Sequence, residues 1–264
     1  MLYLLSPAKS LDYETPVDPE IDARATRPAF VPLAAELIDA LRRHTPAQLG
    51  ALMSLSPALA ALNARRNADW RPRFTAHNSR PAVLAFDGEV YAGLDARTLT
   101  TAQLDWAQRH LAILSGLYGV LRPLDRMQPY RLEMGTRLST AKAKDLYGFW
   151  DDTIARALNR RLQGAGERVV VNLASQEYAR AVDRDALKAR MIDCVFEDAT
   201  DDGYKVIGFF AKRARGAMAR FAIDRRIERP EDLDAFDAGG YRLSREASTP
   251  SRRVFRRRLP QSAS

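Results

Sequence analysis

Apolar positions along this chain fall into distinct spacings. Short unbroken runs at Leu2–Leu5, Ala82–Phe86, Arg168–Leu173 and Met191–Phe196 predict buried strands. Tyr204–Phe210 predicts another, joined to Met191–Phe196 by an acidic turn that ends in Asp202-Gly203. Leu33, Leu37, Ile38 and Leu41 recur at helical spacing and predict an amphipathic helix over Leu33–Leu41. Thr45-Pro46 and Ser56-Pro57 each offer a capping hydroxyl followed by a proline suited to a first helical turn. They predict helices through Met53 and through Asn67, joined by Ser54-Leu55 in a tight helical hairpin. Thr100 or Thr101 caps a helix predicted to run to Leu114, with Leu104, Ala107, Leu111 and Leu114 inward. Further helices are expected over Asp151–Leu162, ended by Gly164, and over Ala211–Glu228, ended by Pro230. After the Asp87-Gly88 turn signal, Glu89–Leu94 reads as a returning strand or a second ordered loop. Asp12–Pro32 reads as irregular surface, and Tyr241–Leu259 as edge strands.

Ser115–Gly135 fits none of these spacings. Gly116, Gly119, Pro123 and Pro129 interrupt any helix or strand, yet Leu117, Val120, Leu121, Leu124, Met127, Leu132 and Met134 are too apolar for a floppy linker. The segment reads as an ordered, partly buried loop that fixes its polar residues in place. No repeat or linker divides the chain. The expected fold is a single mixed α/β domain over residues 1–264, with a central mixed sheet and flanking helices. A helical hairpin subregion lies at 33–67 and a basic tail at 238–264, carrying Arg252, Arg253, Arg256, Arg257 and Arg258.

The 264 residues are 46% hydrophobic and 28% charged, the composition of a globular protein. A net charge of +8 suits a polyanionic partner, and it equally suits an Arg-rich proteome. Cys194 stands alone in an apolar strand, which excludes an intramolecular disulfide and points to an inert core thiol. The apolar run at the N-terminus is too short for a signal sequence and no stretch is long enough to span a membrane, so a cytoplasmic protein is expected. No phosphate-loop motif or G-x-S-x-G elbow occurs, and the isolated His44, His77 and His110 suggest no metal site. No cofactor is expected.

Candidate chemistry gathers in a few places. The hairpin, with Leu49, Leu52, Ser54-Leu55-Ser56 and Ala60, follows the apolar pattern of DNA-binding helix-hairpin-helix units, although Ser stands where those units carry Gly. Its turn offers backbone N–H groups to phosphate, and Arg65 and Arg66 add charge on the second helix. On the basic helix, Arg213 and Arg220 share one face and Lys212 and Arg215 an adjacent one, while Gly216 admits a neighbouring backbone or a ligand. A pocket is expected at the strand ends. Lys9 follows the first strand, and Asn172, Ser175, Glu177 and Tyr178 follow the strand at Arg168–Leu173. The ordered loop contributes Tyr118, Arg122, Asp125, Gln128, Arg131 and Glu133. Asp125, Glu133 and Glu177 are candidate acids or bases, Lys9 or Tyr118 a nucleophile or donor, and Arg122 and Arg131 an anion clamp.

Several segments together carry a resemblance: LSPAKSLDY, TPAQLGALMSLSPALAALNARR, LAFDGEVYAGL, LSGLYGVLRPLDRMQPYRLEMG, KDLYGFW, VVNLASQEY and AKRARGAMARF. From Met1 to about Asp237 the chain resembles the YaaA family of bacterial peroxide-stress proteins, DUF328/UPF0246. The resemblance implies a single-domain α/β fold with a basic cleft and a DNA-binding helix-hairpin-helix element. It also implies a role in limiting unincorporated iron and the oxidative damage iron drives. The leading expectation is therefore a non-enzymatic protein that binds double-stranded DNA through Ser54, Leu55, Ser56, Arg65, Arg66, Lys212, Arg213, Arg215 and Arg220. The alternative is an enzyme acting on an anionic small molecule or nucleotide in a pocket walled by the 115–135 loop. Convergence of Lys9, Arg131, Glu133, Asn172 and Glu177 in one concavity favours the enzyme, whereas their scatter or mutual neutralisation, with the basic residues in an open groove, favours DNA binding.

Overall fold

A computed structural model describes residues 1–164 and 166–258; the end of the tail, 259–264, lies outside the described residues. Its centre is an eight-stranded mixed sheet. The strands are β1 (Leu2–Leu5), β2 (Leu111–Ser115), β3 (Gly119–Leu121), β4 (Val169–Asn172), β5 (Arg190–Thr200), β6 (Gly203–Lys205), β7 (Arg242–Leu243) and β8 (Arg252–Arg257). Their order is β7-β8-β5-β4-β1-β2-β3, with β6 folded back on β5. β1 runs parallel to β2 and β4, and β5 runs parallel to β4 and β8. The edges β3 and β7 are antiparallel. Unbroken apolar sequence in β1, β2 and β4 matches strands covered on both faces, and every residue of the three is buried. From β1 the chain passes to β2 on one side, whereas β4 leads away on the other. The carboxyl ends of β1 and β4 thus flank the point where strand order reverses, the usual ligand crevice of open α/β sheets.

The longer helices are α1 (Val31–Arg42), α2 (Pro46–Met53), α3 (Pro57–Asp69), α4 (Glu89–Leu94), α5 (Thr101–His110), α6 (Thr153–Arg161) and α7 (Gly208–Arg225). α2 and α3 start at the expected caps, the first with a full capping box between Thr45 and Gln48. α4 crosses α7 with the backbones in direct contact. A Cβ on Gly216 would lie 1.8 Å from the Val90 carbonyl oxygen, and one on Gly93 would lie 2.1 Å from that of Arg213. The neighbour that Gly216 admits is therefore a backbone.

Several expectations need correction. Ala82–Ala85 is a helical turn, not a strand, and only Phe86–Asp87 is extended. The Ala82 and Val83 N–H groups donate to the Asp125 and Pro123 carbonyls at 2.9 and 3.0 Å, so this run needs no strand partner. Glu89–Leu94 is helical rather than a strand or loop, because its apolar face docks on α7. The helix from Thr100 stops at His110, and Leu111–Ser115 is instead the strand paired with β1. The strand expected over Tyr204–Phe210 ends at Lys205, and α7 already begins at Gly208.

Candidate functional site

The switch point opens into a cleft of about 440 Å³. Its floor starts where β1 and β4 end. The Ser175 N–H donates to Ser6 Oγ at 2.8 Å and so ties the two strand ends together. Lys9 and Ser10 follow β1, while Glu177 and Tyr178 follow β4. The Ser115–Gly135 loop supplies Tyr130, Arg131, Leu132 and Glu133. Asp87, Glu89 and Val90 enter from the start of α4, and Lys212 and Arg215 from α7.

The loop reaches this position because its interior is rigidly bonded. Ser115 Oγ meets the Tyr130 hydroxyl at 2.7 Å and accepts the Tyr118 N–H at 2.9 Å. The Tyr118 hydroxyl accepts from Trp70 Nε1 at 3.0 Å and from the Gln128 N–H at 3.2 Å. Buried Asp125 accepts from Arg122 and from Thr26 Oγ1. Gln128 bridges the backbone of Arg71. Tyr118, Arg122, Asp125 and Gln128 thus hold the loop together away from the cleft lining. Gly116 packs so closely that a Cβ would lie 2.2 Å from the Leu132 carbonyl oxygen.

Charges in the cleft balance: Lys9, Arg131, Lys212 and Arg215 face Asp87, Glu89, Glu133 and Glu177. Lys9 Nζ lies 2.9 Å from Glu133 Oε2, and Arg131 Nη2 lies 3.5 Å from Glu133 Oε1. The Gly135 N–H donates to Glu177 Oε1 at 2.8 Å. Burial lowers the Arg215 pKa and raises those of the Tyr130 and Tyr178 phenols. Three buried polar atoms of this lining make no hydrogen bond within the protein: Glu89 Oε2, Arg131 Nε and Arg215 Nε. An acceptor and two donors, each atom itself buried, therefore lack partners on residues that line one concave surface. Chemically, the cleft can clamp an anionic group, receive an N–H donor, and hold an apolar body against Val90, Leu132 and the tyrosines.

Of the residues singled out in the sequence, Lys9, Arg131, Glu133, Ser175, Glu177 and Tyr178 line this cleft. Asn172 lies in an adjoining depression that shares Arg215, with its Nδ2 donating to Asp193 Oδ1 at 2.7 Å. Sequence reasoning missed Ser6, Asp87, Glu89 and Tyr130 as site residues, and assigned Lys212 and Arg215 to DNA alone. A signal for Glu89 was present: a carboxylate directly after Asp87-Gly88 in an otherwise apolar stretch.

The hairpin is built differently. Ser54 takes a left-handed conformation at φ 52°, as a glycine would, and the Leu55 N–H donates to the Gly50 carbonyl at 2.9 Å. Ser56 Oγ accepts the Leu59 N–H. The expected backbone donors of Ser54 and Leu55 are thus engaged with Gly50 and shape the turn instead. Arg65 is exposed, and Arg66 is half-buried beside Asn63. Arg213 is exposed on α7, whereas Arg220 is bound to Asp224 at 2.9 Å and to Thr98 Oγ1. Among the described residues no helix is long and apolar enough to cross a membrane.

A family model described as peroxide stress protein YaaA matches residues 1–247. The match passes Asp237, where the motif resemblance fades. Among similar proteins, the UPF0246 protein of Verminephrobacter eiseniae is 60% identical over 260 residues, covering 98% of this chain and 99% of its own. That of Delftia acidovorans is also 60% identical with the same coverage. That of Albidiferax ferrireducens is 57% identical over 262 residues, covering 99% of this chain and all of its own. With the peroxide-stress model spanning the cleft, the hairpin and every strand of the sheet but β8, this chain belongs to the YaaA peroxide-stress family, UPF0246.

Proposed function

We propose that this chain acts in the cytoplasm during peroxide stress by binding double-stranded DNA, and so helps limit iron-driven oxidative damage. The observation that carries this reading is the charge of the hairpin region. Residues 33–73 hold six arginines against three carboxylates. Arg65 and Arg66 make no ion pair with a carboxylate among the described residues, and Ser54 and Ser56 of the turn are exposed, as is Leu59 on the second helix at 39%. Cations of this kind contact phosphate rather than base edges, so sequence preference is weak and salt dependence strong. Arg213 is a further candidate contact. The test is a titration of duplex DNA against the whole protein across a range of salt. Affinity that falls steeply with salt is expected, together with protection of the bound DNA from iron and peroxide. No affinity, or affinity indifferent to salt, overturns the reading.

A second reading is favoured by the unbonded atoms Glu89 Oε2, Arg131 Nε and Arg215 Nε. On this reading the cleft binds, or acts on, an anionic small molecule. The two readings use different surfaces and do not compete.

A further inference from the structure

We infer that the cleft is a site for a nucleoside monophosphate whose base carries an amino group: the phosphate lies against Arg131, Arg215 and Lys212, and the amino group donates to Glu89. This rests on the second reading above and gives its ligand a chemical class.

A buried charged group without a partner is costly, and a native fold keeps one where a ligand completes it. Here such atoms are of both kinds, an acceptor on Glu89 and donors on Arg131 and Arg215, and all belong to residues that line one cleft. Three other charges of the lining are engaged: Glu133 takes Lys9 and Arg131 Nη2, and Glu177 takes the Gly135 N–H. What remains open is specific. Guanidinium donors suit the oxygens of an anion. A lone carboxylate oxygen suits an amino or ring N–H, as acidic side chains accept from the cytosine amino group in nucleic-acid recognition. One ligand must offer both ends.

The volume and walls narrow the class further. About 440 Å³ lies within the range of sites for drug-sized ligands and exceeds what a free amino acid fills. Beside the charged groups the lining offers Val90, Leu132, Tyr130 and Tyr178, an apolar and aromatic surface for a flat base and its sugar. The position outside the carboxyl ends of β1 and β4 is where open α/β sheets hold nucleotides.

Spacing between the two ends is fixed by the fold. Glu89 precedes Val90, and Arg215 precedes Gly216, the pair whose backbones touch where α4 crosses α7. Acceptor and donor therefore stand on one wall set by backbone contact, so the site is formed before a ligand arrives.

The test is calorimetric titration of the full chain with CMP, GMP and AMP, with UMP, inorganic phosphate, cytidine and glycine as comparison ligands. We expect at least one amino-bearing monophosphate to bind, with phosphate alone and nucleoside alone each weaker by tenfold or more, on the order of one lost charge-assisted contact. Glu89→Gln keeps the shape and should weaken that nucleotide about tenfold, removing its advantage over UMP. Arg215→Gln should weaken all monophosphates alike. Should Arg215→Gln fail to fold, Lys212→Gln, on an exposed residue, serves the same purpose. Phosphate binding as tightly as the nucleotides, or glycine binding with the same sensitivity to Glu89→Gln, would overturn the nucleotide class while leaving a ligand site at the cleft. Silence from every ligand would overturn both.

Discussion

The hairpin and the cleft divide the chemistry of this protein between them, and they do so in opposite ways. The hairpin carries surplus positive charge, yet its backbone is closed on itself through the Thr45–Gln48 capping box, the Leu55-to-Gly50 bond and the Ser56 cap. The cleft carries no surplus, with Lys9, Arg131, Lys212 and Arg215 opposite Asp87, Glu89, Glu133 and Glu177. Yet it keeps polar atoms without partners. Surplus charge acts at a distance and is screened by salt, whereas unbonded donors and acceptors act only on a ligand that fits. A net charge of +8 therefore says where a polyanion lands and nothing about where a small molecule is recognised.

The most severe way to break the comparison is Gly216→Ala. The added Cβ would meet the Val90 carbonyl oxygen at 1.8 Å and the Leu94 nitrogen at 2.8 Å, and neither can turn aside. α4 and α7 must separate, and overpacking of this kind costs roughly 3 kcal/mol or more. Chemical denaturation should show the loss. Whatever folded protein remains should have lost nucleotide binding and kept its affinity for DNA. Unchanged stability would mean that the cleft wall is not rigid.

Next in size is the double substitution Arg65→Gln with Arg66→Gln. Each phosphate contact contributes about 0.9 to the slope of log affinity against log salt, so the slope should fall by about 2 if both contact the duplex. Binding in the cleft should not change. A slope that stays put removes these arginines from the interface.

The two regions were also unequally legible in the sequence. The hairpin's helix starts were, because Thr45-Pro46 and Ser56-Pro57 are local signals whose bonds close within one turn. So were the strand ends at Lys9 and Ser175–Tyr178, because unbroken apolar runs mark β1 and β4. Leu111–Ser115 was misread because an apolar run following a helix has no polar face to show where the helix stops; pairing with β1, more than a hundred residues away in sequence, decides it. Half of the cleft was hidden for the same reason. Glu89, Lys212 and Arg215 join it only because Gly93 and Gly216 let two remote helices touch.

A smaller effect sharpens the hairpin side. Ser54 holds φ 52° and ψ 52°, a conformation that costs a residue with a Cβ about 1 kcal/mol. Ser54→Gly relieves it but frees the unfolded chain, leaving a net gain of roughly 0.5 kcal/mol in the denaturation midpoint. DNA affinity should stay the same, because the Leu55 and Ser56 bonds that shape the turn do not use the Ser54 side chain. A loss of stability would show that the Ser54 hydroxyl has a role that the turn geometry does not explain.

The smallest effect near neutral pH is expected at Cys194, which tests whether peroxide acts on the protein through a thiol instead of through either region. Cys194 is buried on β5, and burial pushes its thiol up to about 12. The thiolate, the form that reacts with peroxide, is scarce at pH 7. Mass spectrometry of the native protein after peroxide treatment should find Cys194 unmodified, and Cys194→Ala should leave DNA and nucleotide binding as they were. The thiol shows itself only at high pH. Above the ordinary value of 9.0 the unfolded chain releases this proton while the folded chain keeps it, so stability falls as pH rises from 9 towards 12. Cys194→Ala removes that part of the fall, which reaches about 1.4 kcal/mol per pH unit at its steepest. Parallel stability curves for the two proteins between pH 9 and 11 would show a thiol open to solvent, and sulfenic acid on Cys194 at pH 7 would make it a third site beside the hairpin and the cleft.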